Sequence, residues 1–218
     1  DDRTCGITPT ASLMDMSQST QRQYGPDFAL HLAAGSQMHA YLFGGQPSVA
    51  IGTTAVSAQT VSPQSVYEKA MKAGLNIAAG ARTFGCGSLA YSDVGSPVQL
   101  LIDQEIGTFF QRLFQDVSCD ADHVGLDTMI ETIPQGSRYM ASEHTALFCR
   151  EEGWFARYVD HNPPLAWAQN PTDMIERARK DALRLEKAAQ NQCPLSDDQC
   201  KAIRALIGQA HAIARADA

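Results

Sequence analysis

The sequence predicts a parallel α/β fold. Two observations carry that reading: short β-branched or apolar runs alternate four times with helical patterns, and Gly or Pro punctuation separates most of the segments. A third observation narrows it, because neither GxGxxG nor GxxxxGK[ST] occurs and a dinucleotide-binding or P-loop site is thereby disfavoured. Four units leave an open doubly wound sheet and part of an eight-stranded barrel both available.

The first strand candidate is Ala11 to Met16, with Asp15 near its C-terminal end. Gly25 and Pro26 mark a turn, and Phe28, Leu30, Leu32, Met38, Tyr41 and Leu42 space a helix from about Asp27 to Phe43, stopped by Gly44 and Gly45. Ser48 to Val56 is the second strand candidate. Pro63 opens the next helix, which runs to a C-cap at Gly80. A third strand is expected within Arg82 to Leu89.

Ser96 is the expected N-cap of the following helix, with Pro97 in its first turn, where a missing amide hydrogen costs nothing. Val98, Leu101, Ile102, Ile106, Phe109 and Leu113 make its apolar stripe, and Glu105 lies at the flank. Asp120 caps a helix through to Pro134, Arg138 to Ala141 is a fourth short strand, and Ser142 caps a helix carrying His144. Asn162, Pro163 and Pro164 form a loop. Asn170 and Pro171 begin a charged helix to about Gln190, with a Glu176 to Lys180 pair. Ser196 and Gln199 then spell a capping box for a last helix.

At 218 residues, 44% hydrophobic and 19% charged, the chain has the composition of a globular protein of one large or two small domains. A net charge of -7 without a Lys/Arg stripe argues against nucleic acid as a partner. No run approaches a membrane span and no signal-peptide order opens the chain, so a cytoplasmic protein is expected. Six cysteines without CxxC or finger spacing read as thiols. The start at Asp1, without an initiator methionine, reads as a fragment or a processed piece.

In parallel α/β folds the chemistry gathers at strand C-termini and the loops behind them. That rule selects Asp15, the loop from Thr53 to Ser57, the segment from Arg82 to Cys86 and the segment from Tyr139 to His144. Cys86 is a nucleophile or, more commonly for such a residue, a small side chain in a crowded turn. Arg82 supplies positive charge or a structural ion pair. Glu105 meets a cation or a mobile proton, or else hydrogen-bonds to backbone. His144 acts as donor or base, or caps its helix. Asp15 contacts substrate or caps a turn. Phe84, Tyr91 and Tyr139 can face a quaternary ammonium group, at roughly 0.5 to 2 kcal/mol each, or pack in the core. His31 and His39 lack a third ligand at a convincing spacing, so no structural metal is expected.

One stretch carries a resemblance. SPVQLLIDQEIGTFFQRLF, followed by DADHVGLDTMIETIPQGSRYMASEHTALFCREEGWFARYVD, resembles the trimethylamine methyltransferase family of corrinoid-dependent methyltransferases. The MDM segment, the YEKAMKAGLNIAAGA helix, the EHT segment and the WAQNPTD stretch follow in the family's order.

The resemblance corresponds to roughly the C-terminal half of a family member. It implies the later β/α units of a (β/α)8 TIM-type barrel over residues 1–165 and a C-terminal helical extension over 166–218. It also implies transfer of a methyl group from a methylated amine, a quaternary one by preference, to the Co(I) cobalamin of a separate corrinoid protein, with no cofactor bound permanently. Only standard residues occur, as in the non-pyrrolysine branch, which includes enzymes for glycine betaine. Under it His144 and Glu105 are the catalytic candidates, and Asp15, Phe84, Tyr139 and Arg82 the substrate-binding ones. The rival readings are a TIM-barrel lyase or hydrolase using Glu105 and His144, and a noncatalytic half-barrel that completes a second chain or another copy.

Overall fold

The computed structural model describes residues 13–22, 25–44, 55–78, 85–136, 138–190 and 194–216. The chain divides into two compact units, Asp1–Leu183 and Arg184–Ala218. Among the described residues the structure is helix-rich, with four short strands and no closed barrel.

β1 (Leu13–Asp15) and β2 (Thr20–Arg22) form an antiparallel hairpin, in register Leu13 to Arg22. β2 falls in the polar run after Met16, which carries no apolar alternation. α1 (Pro26–Phe43) follows, with Pro26 in its first turn as the punctuation predicts, and buries Phe28 and Leu32 against Leu13. Of the expected strand from Ser48, residues 48–54 lie outside the described residues. Ala55 to Ala58 is a loop rather than a strand.

α2 (Pro63–Ala78) buries Ser65, Glu68, Lys69, Lys72, Ala73 and Asn76, a face of helical spacing that is almost wholly polar. α3 (Pro97–Leu113) crosses it closely: a Cβ on Gly74 would stand 3.2 Å from the Phe110 ring. Ser96 caps α3 as expected, its hydroxyl accepting from Gln99 N at 3.2 Å. Between the two helices, β3 (Ser88–Leu89) and β4 (Val94–Gly95) form a second antiparallel hairpin.

Both ladders therefore contradict the parallel pairing expected of the strands. The reason is local: each described pair is joined by a reversal of four residues, whereas a parallel pair needs a crossover of a dozen or more. The second reversal runs through Ala90, Tyr91 and Ser92, all at positive φ (48°, 58° and 84°). L-residues enter that region at about 1 kcal/mol or more each. Ala90 N donates to Ala58 O at 2.9 Å and Tyr91 N to Val56 O at 2.8 Å, which fixes the turn against the 55–58 loop.

The helix expected from Asp120 to Pro134 is two helices, α4 (Ala121–Val124) and α5 (Leu126–Thr132), because Gly125 at φ 64° turns left-handed between them. The fourth expected strand is a 3-10 turn, Tyr139–Ala141. Ser142 Oγ accepts from Thr145 N at 3.2 Å and Thr145 Oγ1 donates to Tyr139 O at 2.7 Å, bonds that close a turn instead of a ladder. α6 (Glu143–Phe148) follows, then α7 (Pro164–Gln169), which starts at the last residue of the expected Asn162 to Pro164 loop.

α8 (Met174–Ala188) starts at Asp173, whose carboxylate accepts from Glu176 N at 2.8 Å. Glu176 pairs with Arg179 at 3.0 Å rather than with Lys180. In the second unit α9 (Asp197–Ala216) opens on the expected capping box: Ser196 N donates to Gln199 Oε1 at 2.9 Å and Gln199 N to Ser196 Oγ at 3.3 Å.

The first unit's core is three small clusters. Phe28 and Leu32 form one, Val56, Ala58 and Leu89 a second, and Ile102, Tyr158 and Ala178 the third.

Candidate functional site

An open cleft of about 470 Å³ lies between the second hairpin and the start of α3. Cys86, Gly87 and Ser88 line one part of it, and Val94, Pro97 and Leu100 another. The sequence puts a cleft here because Gly87, at φ 81°, lets the chain turn hard against α3: a Cβ would stand 3.2 Å from Leu100 Cβ. Ser96 N donates to Gly87 O at 2.8 Å and closes the other side of that turn.

Beneath the cleft lies a buried ion pair. Lys69 Nζ stands 3.1 Å from Asp103 Oδ2, with both side chains at most 3% exposed. Asp103 Oδ2 also accepts from Gly87 N at 2.7 Å, and its Oδ1 from Gln99 Nε2 at 2.7 Å. Gln99 Oε1 in turn accepts from Ser65 Oγ at 2.8 Å, and Lys69 donates to Ser88 Oγ at 3.3 Å. Isolated buried charges are costly, so a pair persists where its other valences are hydrogen-bonded, as they are here.

The rest of the polar face of α2 grips the 55–58 loop. Glu68 Oε2 accepts from Ser57 N at 2.7 Å and Ala58 N at 3.4 Å, and Lys72 Nζ donates to Ala55 O. Lys72 also lies 4.3 Å from the Phe28 ring centroid. Burial, assisted by the neighbouring Lys69, brings the Lys72 ammonium down to about 7. The Cys86 thiol is shifted the other way, raised by partial burial and then by the Asp103 charge.

The residues expected from sequence are distributed over several places. Glu105, 7% exposed, accepts from the backbone amides of Arg157 at 2.7 Å, Tyr158 at 2.6 Å and Val159 at 3.3 Å. Its carboxylate is thus bound to a segment more than fifty residues away. His144 Nε2 donates to Asp122 O at 2.8 Å, and its ring lies 4.8 Å from that of Phe148. It fills the space over Gly125, where a Cβ would stand 2.6 Å from His144 Nε2.

Asp15 accepts from Ser17 N at 2.9 Å and Ser17 Oγ at 2.6 Å, bonds that hold its carboxyl below the usual range. Tyr139 is 46% exposed and its carbonyl receives the Ser142 and Thr145 hydroxyls. Arg82 and Phe84 lie outside the described residues. Glu105 and His144 are bound to different segments, residues 157–159 and α4 respectively.

Among the described residues no three His, Cys, Asp or Glu side chains converge as a metal-ligand set. No described helix is long and apolar enough to cross a membrane. Lys69, Asp103 and Glu68 escape a reading by apolar periodicity, because they have partners remote in sequence: the Ser57 and Ala58 amides for Glu68, the Gly87 amide for Asp103, and the Asp103 carboxylate and Ser88 hydroxyl for Lys69. The one available signal is the charge of positions 68, 69 and 72, which share the helical spacing of a buried face.

Comparison with known proteins is consistent with the order of these segments. A family model described as trimethylamine methyltransferase matches residues 5–213. No curated protein matches the chain. That match takes in both units and every described element apart from the last residues of α9. The chain belongs to the trimethylamine methyltransferase family, and with it to the methyltransferases.

Proposed function

We propose that this protein takes a methyl group from a methylated, quaternary amine and delivers it to the Co(I) corrinoid of a partner protein, from within a TIM-type fold to which these residues contribute. The match of residues 5–213 to the family carries the reading. The partner's corrinoid supplies the nucleophile for the methyl carbon, and the chain's own residues bind and orient the amine.

The cleft at the start of α3 has the character that such a donor needs. Val94, Pro97 and Leu100 offer apolar surface to N-methyl groups, and the Ser88 and Ser96 hydroxyls offer polar contacts without a competing cation among the lining residues. The half-exposed Tyr139 ring is suited to an ammonium group. Glu105 acts by holding residues 157–159, and His144 by holding the joint between α4 and α5. Asp15 adds negative charge at the β1–β2 turn.

The test is methyl transfer to Co(I) cobalamin, with the protein expressed from its complete reading frame and a panel of tertiary and quaternary amines. Methylcobalamin is expected to accumulate with at least one quaternary amine. Absence of cobalt methylation across the panel refutes the proposal, and methylation by tertiary amines alone refutes the quaternary assignment.

A further inference from the structure

We propose that Asp103 and Lys69 are positioning residues for the cleft: their buried ion pair sets where the wall from Cys86 to Ser88 stands, and so how tightly a small methylated amine is held. The inference rests on the functional reading above.

Stability alone does not account for the pair, since well-packed apolar side chains in its place are often as stable or more so. What apolar side chains lack is the set of bonds that leave the pair. Asp103 takes the Gly87 amide at 2.7 Å and Lys69 reaches Ser88 Oγ at 3.3 Å, both in the cleft wall. The Gly87 carbonyl is meanwhile held by Ser96 N at 2.8 Å, so one peptide turn is fixed on both sides by α3 and its cap. A Cβ on Gly87 would stand 3.2 Å from Leu100 Cβ, so a glycine is what lets the wall lie this close to α3. Ser65 and Gln99 anchor the far end of the chain of bonds, away from the cleft.

Cys86 provides a readout that needs no substrate. It adjoins the gripped turn, and the Asp103 charge is among the causes that raise its thiol. Two variants apply. Asp103→Asn removes the charge and leaves one oxygen for the two donors, Gly87 N and Gln99 Nε2, that the carboxylate takes on separate oxygens, and Lys69→Met with Asp103→Asn removes both charges and so remains folded if the single variant does not.

The experiment uses the full-length protein and measures two things: the pH profile of Cys86 alkylation by iodoacetamide, followed by peptide mass spectrometry, and KM and kcat for the amine found active in the panel. In Asp103→Asn the alkylation profile moves to lower pH, with a rate at pH 8 about threefold higher or more; in the double variant the loss of Lys69, whose charge lowers the thiol, offsets part of that move. KM rises about tenfold while kcat stays within about twofold, the pattern of lost ground-state binding. An unchanged KM in a folded variant overturns this inference alone, as does an unchanged alkylation profile in Asp103→Asn. Wild-type protein that methylates no cobalamin overturns this inference and the functional reading together.

Discussion

The α2–α3 seam and the region from Asp120 to Glu152 both use charged side chains to hold turns, but they do so at opposite depths. In the seam, Lys69 and Asp103 are almost fully buried, Asp103 holding the Gly87 amide and Lys69 the Ser88 hydroxyl. In the second region the contacts are exposed: His123 Nδ1 stands 2.6 Å from Asp120 Oδ2, His123 Nε2 3.6 Å from Glu152, and Arg112 3.4 Å from Glu152. Burial converts a charge pair into a fixed geometric constraint that salt and pH reach weakly. Exposure leaves the same chemistry adjustable by both.

Breaking the buried side gives the largest effect. Lys69→Met alone leaves the Asp103 carboxylate without its cation, and a loss of about 3 to 5 kcal/mol is expected in urea denaturation. The double change Lys69→Met with Asp103→Asn recovers most of that loss. Equal losses in the two variants would show that the ion pair is not what the seam depends on.

A middle-sized effect is expected at Gly125→Ala, where φ is 64° and the new methyl meets His144 Nε2 at 2.6 Å. Strain and clash together cost about 2 kcal/mol, read as a lowered thermal midpoint. His144→Ala in the same background opens the space and returns the clash component alone.

The smallest effect, and the one that separates the two regions best, is in pH. The hydrogen bond from Asp120, followed by its charge and that of Glu152, raises His123 above its ordinary 6.5. The same bond lowers Asp120 below 3.8. The His123 contribution is therefore complete below pH 6.5 and disappears as pH rises through the folded value. The Asp120 contribution is complete above 3.8 and disappears as pH falls through its own depressed value. Thermal midpoints of His123→Asn and wild type should thus differ more at pH 6 than at pH 9, and added salt should shrink the difference.

Helix starts were the most legible part of the sequence. Ser96, Ser142 and the Ser196 and Gln199 box act on amides three residues away, so local chemistry specifies them completely. Ile102 is buried as its stripe predicts, but Phe109 and Leu113 of the same stripe are 46% and 62% exposed.

The strands were harder to read, because β2 and β4 are short polar or glycine-containing segments that exist only as partners of their hairpins. At the candidate site, residue types were legible and partners were not. Glu105 stood out as an acid beside an apolar stripe, while the amides that it binds lie 52 to 54 positions later. The polar face of α2 passed as an ordinary helix for the same reason: the 55–58 main chain, the Ser88 hydroxyl and the Asp103 carboxylate that satisfy it are brought there by tertiary structure.

The Glu105 arrangement has a consequence for the order in which this unit assembles. Residues 157–159 have no strand partner among the described residues to align them, and a single carboxylate gathers their three amides. That acceptor has a defined position only once α3 has formed, so the segment docks after the helix, not alongside it. Closing the long loop by this docking costs entropy, and that cost grows only slowly with loop length. Nucleation thus belongs to the local α2–β3–β4–α3 sequence, and the later third of the unit folds onto a surface already made.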